Sequence, residues 1–113
     1  MSTTEEIIDA LNIMRQKFLN DKVKSSFKNW NKTMQYYFPD KDEHWNIKLK
    51  NGIPEELEKG EVSNPEIRYE MDSDTFLAIT RKELTGMKAY QQKKVKVKAK
   101  MPVLMKLQKL DKL

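Results

Sequence analysis

The sequence has 113 residues, 38% apolar and 35% charged, with 22 Lys and Arg against 17 Asp and Glu for a net charge of +5, a single histidine and no cysteine. That length suffices for one hydrophobic core and is short for two, so a single domain over residues 1–113 is expected. The lack of cysteine excludes a disulfide framework, a thiolate nucleophile and cysteine-based zinc sites, and three glycines are too few for a phosphate-cradling loop.

No apolar run approaches the roughly 18 residues of a membrane span. The acidic start Thr4-Glu5-Glu6 does not suit a signal or transit peptide, and a cytoplasmic location is expected. From the start, Ser2 and Thr3 are both good N-caps, each with a glutamate three residues on. Ile7, Ile8, Leu11, Met14 and Phe18 then mark one face of a helix over about Thr3 to Leu19. Asn20 or Asp21 can cap a second, short helix, whose apolar residues Val23, Phe27 and Trp30 lie four and three apart.

The period then changes from helical to two. Met34, Tyr36 and Phe38 alternate with Thr33, Gln35 and Tyr37 up to Pro39-Asp40, and Trp45, Ile47 and Leu49 alternate with polar residues up to Asn51-Gly52. Ile53 and Leu57 suggest a weak third strand, which Pro54 confines to an edge. Ile67, Tyr69 and Met71 form a fourth. Asp72 or Ser73 can then cap a helix carrying Phe76, Leu77 and Ile79 and ending near Lys82, and Thr85 caps another with Met87 and Tyr90 inward.

The last quarter carries the sharpest pattern. Val95, Val97, Ala99 and Met101 alternate with Lys94, Lys96, Lys98 and Lys100, which predicts a half-buried strand over Lys94 to Met101. Pro102 suits the first position of a helix. Val103, Leu104, Leu107 and Leu110 share one face of that helix, Leu113 extends the face, and Lys106, Lys109 and Lys112 lie opposite. The sum is an α+β (mixed α/β) domain with helices gathered on one face of a five-stranded sheet.

Charge is polarised: residues 88–113 carry nine lysines against the single acid Asp111, which leaves residues 1–87 net acidic. Such a surface suits anionic lipid head groups or nucleic acid, although solvated strand and helix faces explain it more simply, and strand lysines also discourage edge pairing. Against nucleic acid stand the absence of arginine from this stretch and its single aromatic, Tyr90. His44, in Asp42-Glu43-His44-Trp45, has no second histidine to share a metal. The carboxylates from Glu55 to Asp74 read as a solvated acidic edge rather than an acid–base pair. No nucleophile elbow or dinucleotide fingerprint occurs, and no enzyme activity, cofactor or metal is expected. The C-terminal Asp111-Lys112-Leu113 is a poor match to a peroxisomal Ser-Lys-Leu signal and is read as chance.

Three blocks together resemble the sterol carrier protein type 2 (sterol-binding domain) family: Trp30-Asn31-Lys32-Thr33-Met34-Gln35, Ile67-Arg68-Tyr69-Glu70-Met71-Asp72-Ser73-Asp74-Thr75-Phe76, and Leu84-Thr85-Gly86-Met87-Lys88-Ala89-Tyr90 leading into Lys94-Val95-Lys96-Val97-Lys98. The resemblance spans nearly the whole chain, and the order and spacing of the blocks carry it. It implies a curved five-stranded sheet covered by helices, sterol-carrier-like, enclosing an apolar tunnel for a fatty acid, fatty acyl-CoA, phospholipid or sterol. It also implies an alternative role, that of an accessory or dimerisation domain supporting a lipid-modifying enzyme.

The sequence departs from the family at Lys82, Lys93 and Ala99, where glycine is common, and at Gly86, where proline is common. Because glycine permits positive φ, these replacements bear on the turn before the last strand and on the cavity entrance. The lining implied by the resemblance is Met34, Tyr36, Phe76, Met87, Tyr90, Val97, Met101, Leu104, Met105 and Leu107, with Leu110 near the entrance. Unbranched, polarisable methionines suit a lining that adapts to flexible ligands. The lysines are assigned to transient contact with an anionic membrane surface.

Overall fold

The computed structural model describes residues 3–113. Ser2, the alternative first cap, and the Lys112 side chain, expected on the outer face of the last helix, lie outside the described residues. Helix α1 runs Thr4–Lys17 behind a capping box: the Thr3 hydroxyl accepts from the Glu6 N–H at 3.1 Å, and the Glu6 carboxylate accepts from the Thr3 N–H at 2.9 Å. Its apolar face sends Ile7 and Leu11 fully into the core, with Phe18 following at its end. The second short helix is a single 3-10 turn, Lys24–Phe27. Phe27 there meets Phe18 and Trp30 edge-on at ring distances of 5.0 and 4.8 Å. Lys32 and Lys106 place their ammonium groups 5.5 and 5.8 Å from the Trp30 ring.

Strands β1, Lys32–Phe38, and β2, Glu43–Lys50, form an antiparallel hairpin in which Tyr36 faces Trp45 and Met34 faces Ile47. The alternation does what it predicts: Met34, Tyr36, Phe38, Trp45, Ile47 and Leu49 are all buried. Asn51 and Gly52, both at positive φ, then turn the chain back. Gly52 is required twice over, since a Cβ there would run into the Phe27 carbonyl.

The expected weak third strand is two separate pieces, β3, Ile53–Pro54, and β4, Glu58–Lys59. They pair with opposite ends of β2, so the sheet has six strands where five were expected. Pro54 explains the break: it has no N–H to extend the ladder, and after Glu55 bonds to Lys48 O at 2.7 Å the chain leaves the edge and returns at Glu58.

Strand β5, Ile67–Met71, pairs in parallel with β1 and brings Tyr69 beside Tyr36. Helix α2, Ser73–Thr80, has Asp72 at its N-cap position, but the capping carboxylate is that of Asp40 from the β1–β2 turn. Asp40 accepts from the Ser73 N–H at 2.9 Å and from the Ser73 hydroxyl. Burial pushes the Asp40 carboxyl up, and these two donors outweigh it and hold it below the ordinary carboxylate value.

Helix α3, Gly86–Gln91, is capped by Thr85, whose hydroxyl accepts from the Lys88 N–H at 3.0 Å. Strand β6 is Val95–Lys98, shorter than the expected Lys94 to Met101, and its pairing with β5 ends where Lys98 faces Arg68. Val95 is buried, Val97 half-buried, and Lys94, Lys96, Lys98 and Lys100 are exposed. Met101 therefore opens helix α4, Met101–Leu107, with Pro102 in its first turn, and a 3-10 turn, Gln108–Lys112, continues it.

The sheet order is β3-β2-β1-β5-β6, with β4 also on β2, and its apolar face lies under the helices. Lys82 and Lys93 keep positive φ, 64° and 61°, although neither is glycine, so the turns around α3 hold a left-handed backbone where these lysines replace glycine. Ala99 has no such conformation and needs no glycine.

Candidate lipid cleft

An apolar cleft of about 210 Å³ lies between the β1–β5–β6 side of the sheet and helices α2, α3 and α4. Its floor is an aromatic stack. Tyr36 and Tyr69 lie ring over ring at 4.9 Å, because parallel pairing places them side by side on one face, and Phe76 of α2 meets Tyr36 at 5.3 Å. Val97 forms the sheet wall, and Leu104 and Leu107 of α4 form the opposite one. Met87, Tyr90 and Met101, which are 39%, 54% and 67% exposed, sit at the rim. The structure thus has a cleft open to solvent where the resemblance implied an enclosed tunnel. Met87 and Tyr90 are exposed rather than turned inward, and Ala89 is the residue by which α3 enters the core.

Three residues of the expected lining lie elsewhere. Met34 is wholly buried under the hairpin. Leu110 is buried in the core, not at the entrance, and Met105 points to solvent at 62% exposure. Met14, Tyr69, Met71, Ile79 and Val95 also line the cleft. Of these, Tyr69, Met71 and Val95 follow from the strand alternation, and Met14 from the apolar face of α1.

Gln108 and Asp111 line it too. At the 3.6-residue period Gln108 lies one turn after Leu104 and Asp111 one turn after Leu107, so both fall beside the apolar face. Their polarity, not their spacing, keeps them out of a lining sought among apolar residues.

The polar groups of the cleft are few. The Tyr36 hydroxyl is buried with no hydrogen-bond partner among the described residues. Burial, with Tyr69 beside it, pushes its ionisation far above the ordinary phenol value. Burial, and then the Asp111 charge, does the same to Tyr69. Asp111 is raised by burial against the opposing attraction of Lys17, and its carboxylate lies so close to Gly86 that a Cβ there would be 2.8 Å from Oδ1. Among the described residues lining the cleft Asp111 is the single charged one.

A second hollow of about 380 Å³, beside the 3-10 turn Lys24–Phe27, is larger. Apart from Phe18 and Gly52 its lining residues are all exposed, and four of them are Asp21, Lys24, Lys28 and Asn51. It is a dip in a polar surface rather than an apolar site. His44 stacks on Tyr37 at 4.3 Å and stands 3.8 Å from the Glu61 carboxylate, on the sheet face away from the cleft. Among the described residues no three His, Cys, Asp or Glu are grouped to hold a metal ion.

The profile of the SCP-2 sterol transfer family matches residues 11–112. No curated protein sequence matches the chain. Among solved structures, palmitated sterol carrier protein 2-like 2 of Aedes aegypti aligns with a TM-score of 0.72 at 20% identity, over 97% of this chain and 95% of that one. The sterol carrier protein domain 2 of Helicoverpa armigera aligns with a TM-score of 0.73 at 14% identity, over 98% and 91%. The sec-alkylsulfatase Pisa1 of a Pseudomonas species aligns with a TM-score of 0.60 at 20% identity over 73% of this chain, which spans 12% of that longer enzyme. At these identities the likeness shows the fold.

Proposed function

Since the chain belongs to the SCP-2 sterol transfer family, we propose that it is a non-catalytic lipid-binding and transfer protein of the cytoplasm, which holds a long apolar chain between its sheet and α4. The observation that carries this reading is the cleft, an apolar floor with an open, methionine-lined rim. An apolar patch left in water on a small domain marks a place meant to be covered.

Each buried methylene contributes about 0.8 kcal/mol, so a 16-carbon tail offers roughly 12 kcal/mol before ordering and fit are subtracted. At about 210 Å³ the cleft exceeds the roughly 150 Å³ void that admits benzene in an engineered protein and falls short of the roughly 300–1,000 Å³ of ordinary ligand pockets. A full-length chain therefore requires α4 to swing outward. That helix is short, with Leu107 its buried residue, and such a swing also has to release Leu110, buried in the 3-10 turn that follows, and the Lys109 ammonium, which donates to the Ser26 hydroxyl at 3.0 Å.

A lysine near an anionic surface adds only about 1 kcal/mol, and salt screens it. The exposed lysines of β6 and α4 thus serve docking on an anionic membrane surface, while tail burial supplies affinity. The accessory reading keeps one support, the occurrence of this fold as a small part of a sulfatase chain.

Native mass spectrometry of the purified protein, followed by titration with a fluorescent fatty acid and its CoA ester at low and high salt, tests the proposal. Affinity for the free acid is expected to survive high salt and to fall at least tenfold in folded Leu104→Asp, since that change places a charge in the apolar wall. Transfer to anionic vesicles is expected to weaken with salt. If neither ligand binds at micromolar concentration and no lipid co-purifies, the carrier reading fails and the accessory role replaces it.

A further inference from the structure

The chain has seven methionines and no cysteine, so its sulfur chemistry is that of thioethers alone. The fold divides the described ones sharply. Met34 and Met71 are buried, whereas Met87, Met101 and Met105 are exposed. Of those three, Met87 and Met101 line the cleft and Met105 does not. Two sulfurs that water reaches freely therefore stand where an apolar ligand would cover them, and a third, equally open, stands outside.

A thioether open to solvent reacts with hydrogen peroxide. The sulfur gives an electron pair to one peroxide oxygen, the S–O bond forms as the O–O bond breaks, and the second oxygen takes a proton from the first and leaves as water. Sulfur is oxidised by two electrons and the peroxide reduced by two. The product is a polar sulfoxide, which a thiol-dependent sulfoxide reductase converts back. At the unliganded rim the sulfoxide stays hydrated and does not disturb the fold. An apolar chain laid over it strips that water and offers no donor in return, which is costly for a polar group.

Resting on the reading of the cleft as a lipid site, we propose that Met87 and Met101 are reversible oxidation sites that set its hold on an apolar chain: peroxide loosens that hold by turning their thioethers into sulfoxides, and sulfoxide reduction restores it. Met105 is oxidised as readily and without that consequence.

The test treats the full chain with hydrogen peroxide at neutral pH for increasing times, assigns the sulfoxides by peptide mass spectrometry and titrates a fluorescent fatty acid at each time. Met87, Met101 and Met105 are expected to convert at least tenfold faster than Met34 and Met71, because access governs the reaction. As Met87 and Met101 convert, affinity is expected to fall at least tenfold while the melting temperature of the unliganded protein stays the same. Methionine sulfoxide reductases with a thiol are expected to restore it. Each variant is compared with its own untreated sample: Met87→Leu/Met101→Leu is expected to lose the sensitivity to peroxide, and Met105→Leu to keep it. Unchanged affinity with both rim methionines oxidised, or a loss that persists in Met87→Leu/Met101→Leu, overturns the assignment while the lipid reading stands. A melting temperature that falls in step with affinity overturns it as well, since the loss then comes from the core. If the untreated protein does not bind the probe, the lipid reading falls and takes this assignment with it.

Discussion

The hairpin side of the molecule and its C-terminal flank use the same kinds of residue to opposite ends. Under β1 and β2, rings and branched chains from α1, the 3-10 turn Lys24–Phe27 and the sheet interlock until Ile7, Leu11, Phe18, Phe27, Phe38 and Ile47 have no exposed surface. Along α3, β6 and α4, Met87, Tyr90, Met101 and Met105 are exposed, and Val97 and Leu104 are only half covered. The difference lies in what each segment has to pack against. The hairpin is held by strands and helices on both sides, whereas α4 has the edge of the sheet, α3 and its own continuation. Apolar content therefore does not measure closure, which depends on how many neighbours a segment has.

Core truncation breaks this comparison most directly. Phe27→Ala is expected to lower stability by about 3–5 kcal/mol in urea titration, because the site is ringed by Phe18 and Trp30 and cannot collapse. Leu104→Ala in the cleft wall is expected to lower it by about 1 kcal/mol, in proportion to its partial burial. Equal losses would mean that the flank is as closely packed as the hairpin.

The next effect joins the two regions. Asp40→Asn is expected to lower stability by about 1 kcal/mol at pH 7, the ordinary worth of a helix cap, by weakening the link from the hairpin turn to α2. Because the carboxyl is depressed in the fold, its contribution is complete above the ordinary value of 3.8 and is lost as pH falls through the lower folded value. Thermal melts of the two proteins should therefore converge below pH 3.8. A constant difference down to lower pH would assign the effect to shape rather than charge.

The smallest effect lies in the flank. Lys93→Gly is expected to raise the stability by about 0.5–1 kcal/mol, since a left-handed residue other than glycine costs about 1–2 kcal/mol and glycine returns part of that as chain entropy. A loss on this change would show that the lysine side chain has a role in the turn.

Much of this architecture could be read from the residues because each part rests on a local rule. The α1 cap, the period-two strands and the paired lysines and valines of β6 all depend on near neighbours. The broken edge at Pro54 and the hairpin aspartate that caps α2 depend on what other segments supply, and short-range patterning does not carry that information. The exposure of Met105 has a related cause. Pairing with β5 ends at Lys98, which starts α4 at Met101 and sets the rotation of its methionines.

Trp30 has a consequence for optical work. Its ring has the ammonium group of Lys106 from α4 on it, whereas Trp45 lies on the hairpin with Lys59 at 5.6 Å and no group from α4 against it. An outward swing of α4 removes a cation from one indole and leaves the other untouched. The chain thus carries its own reporter: in Trp45→Phe, emission from Trp30 is expected to follow the position of the helix, and in Trp30→Phe the emission from Trp45 is expected to stay constant, without any added label.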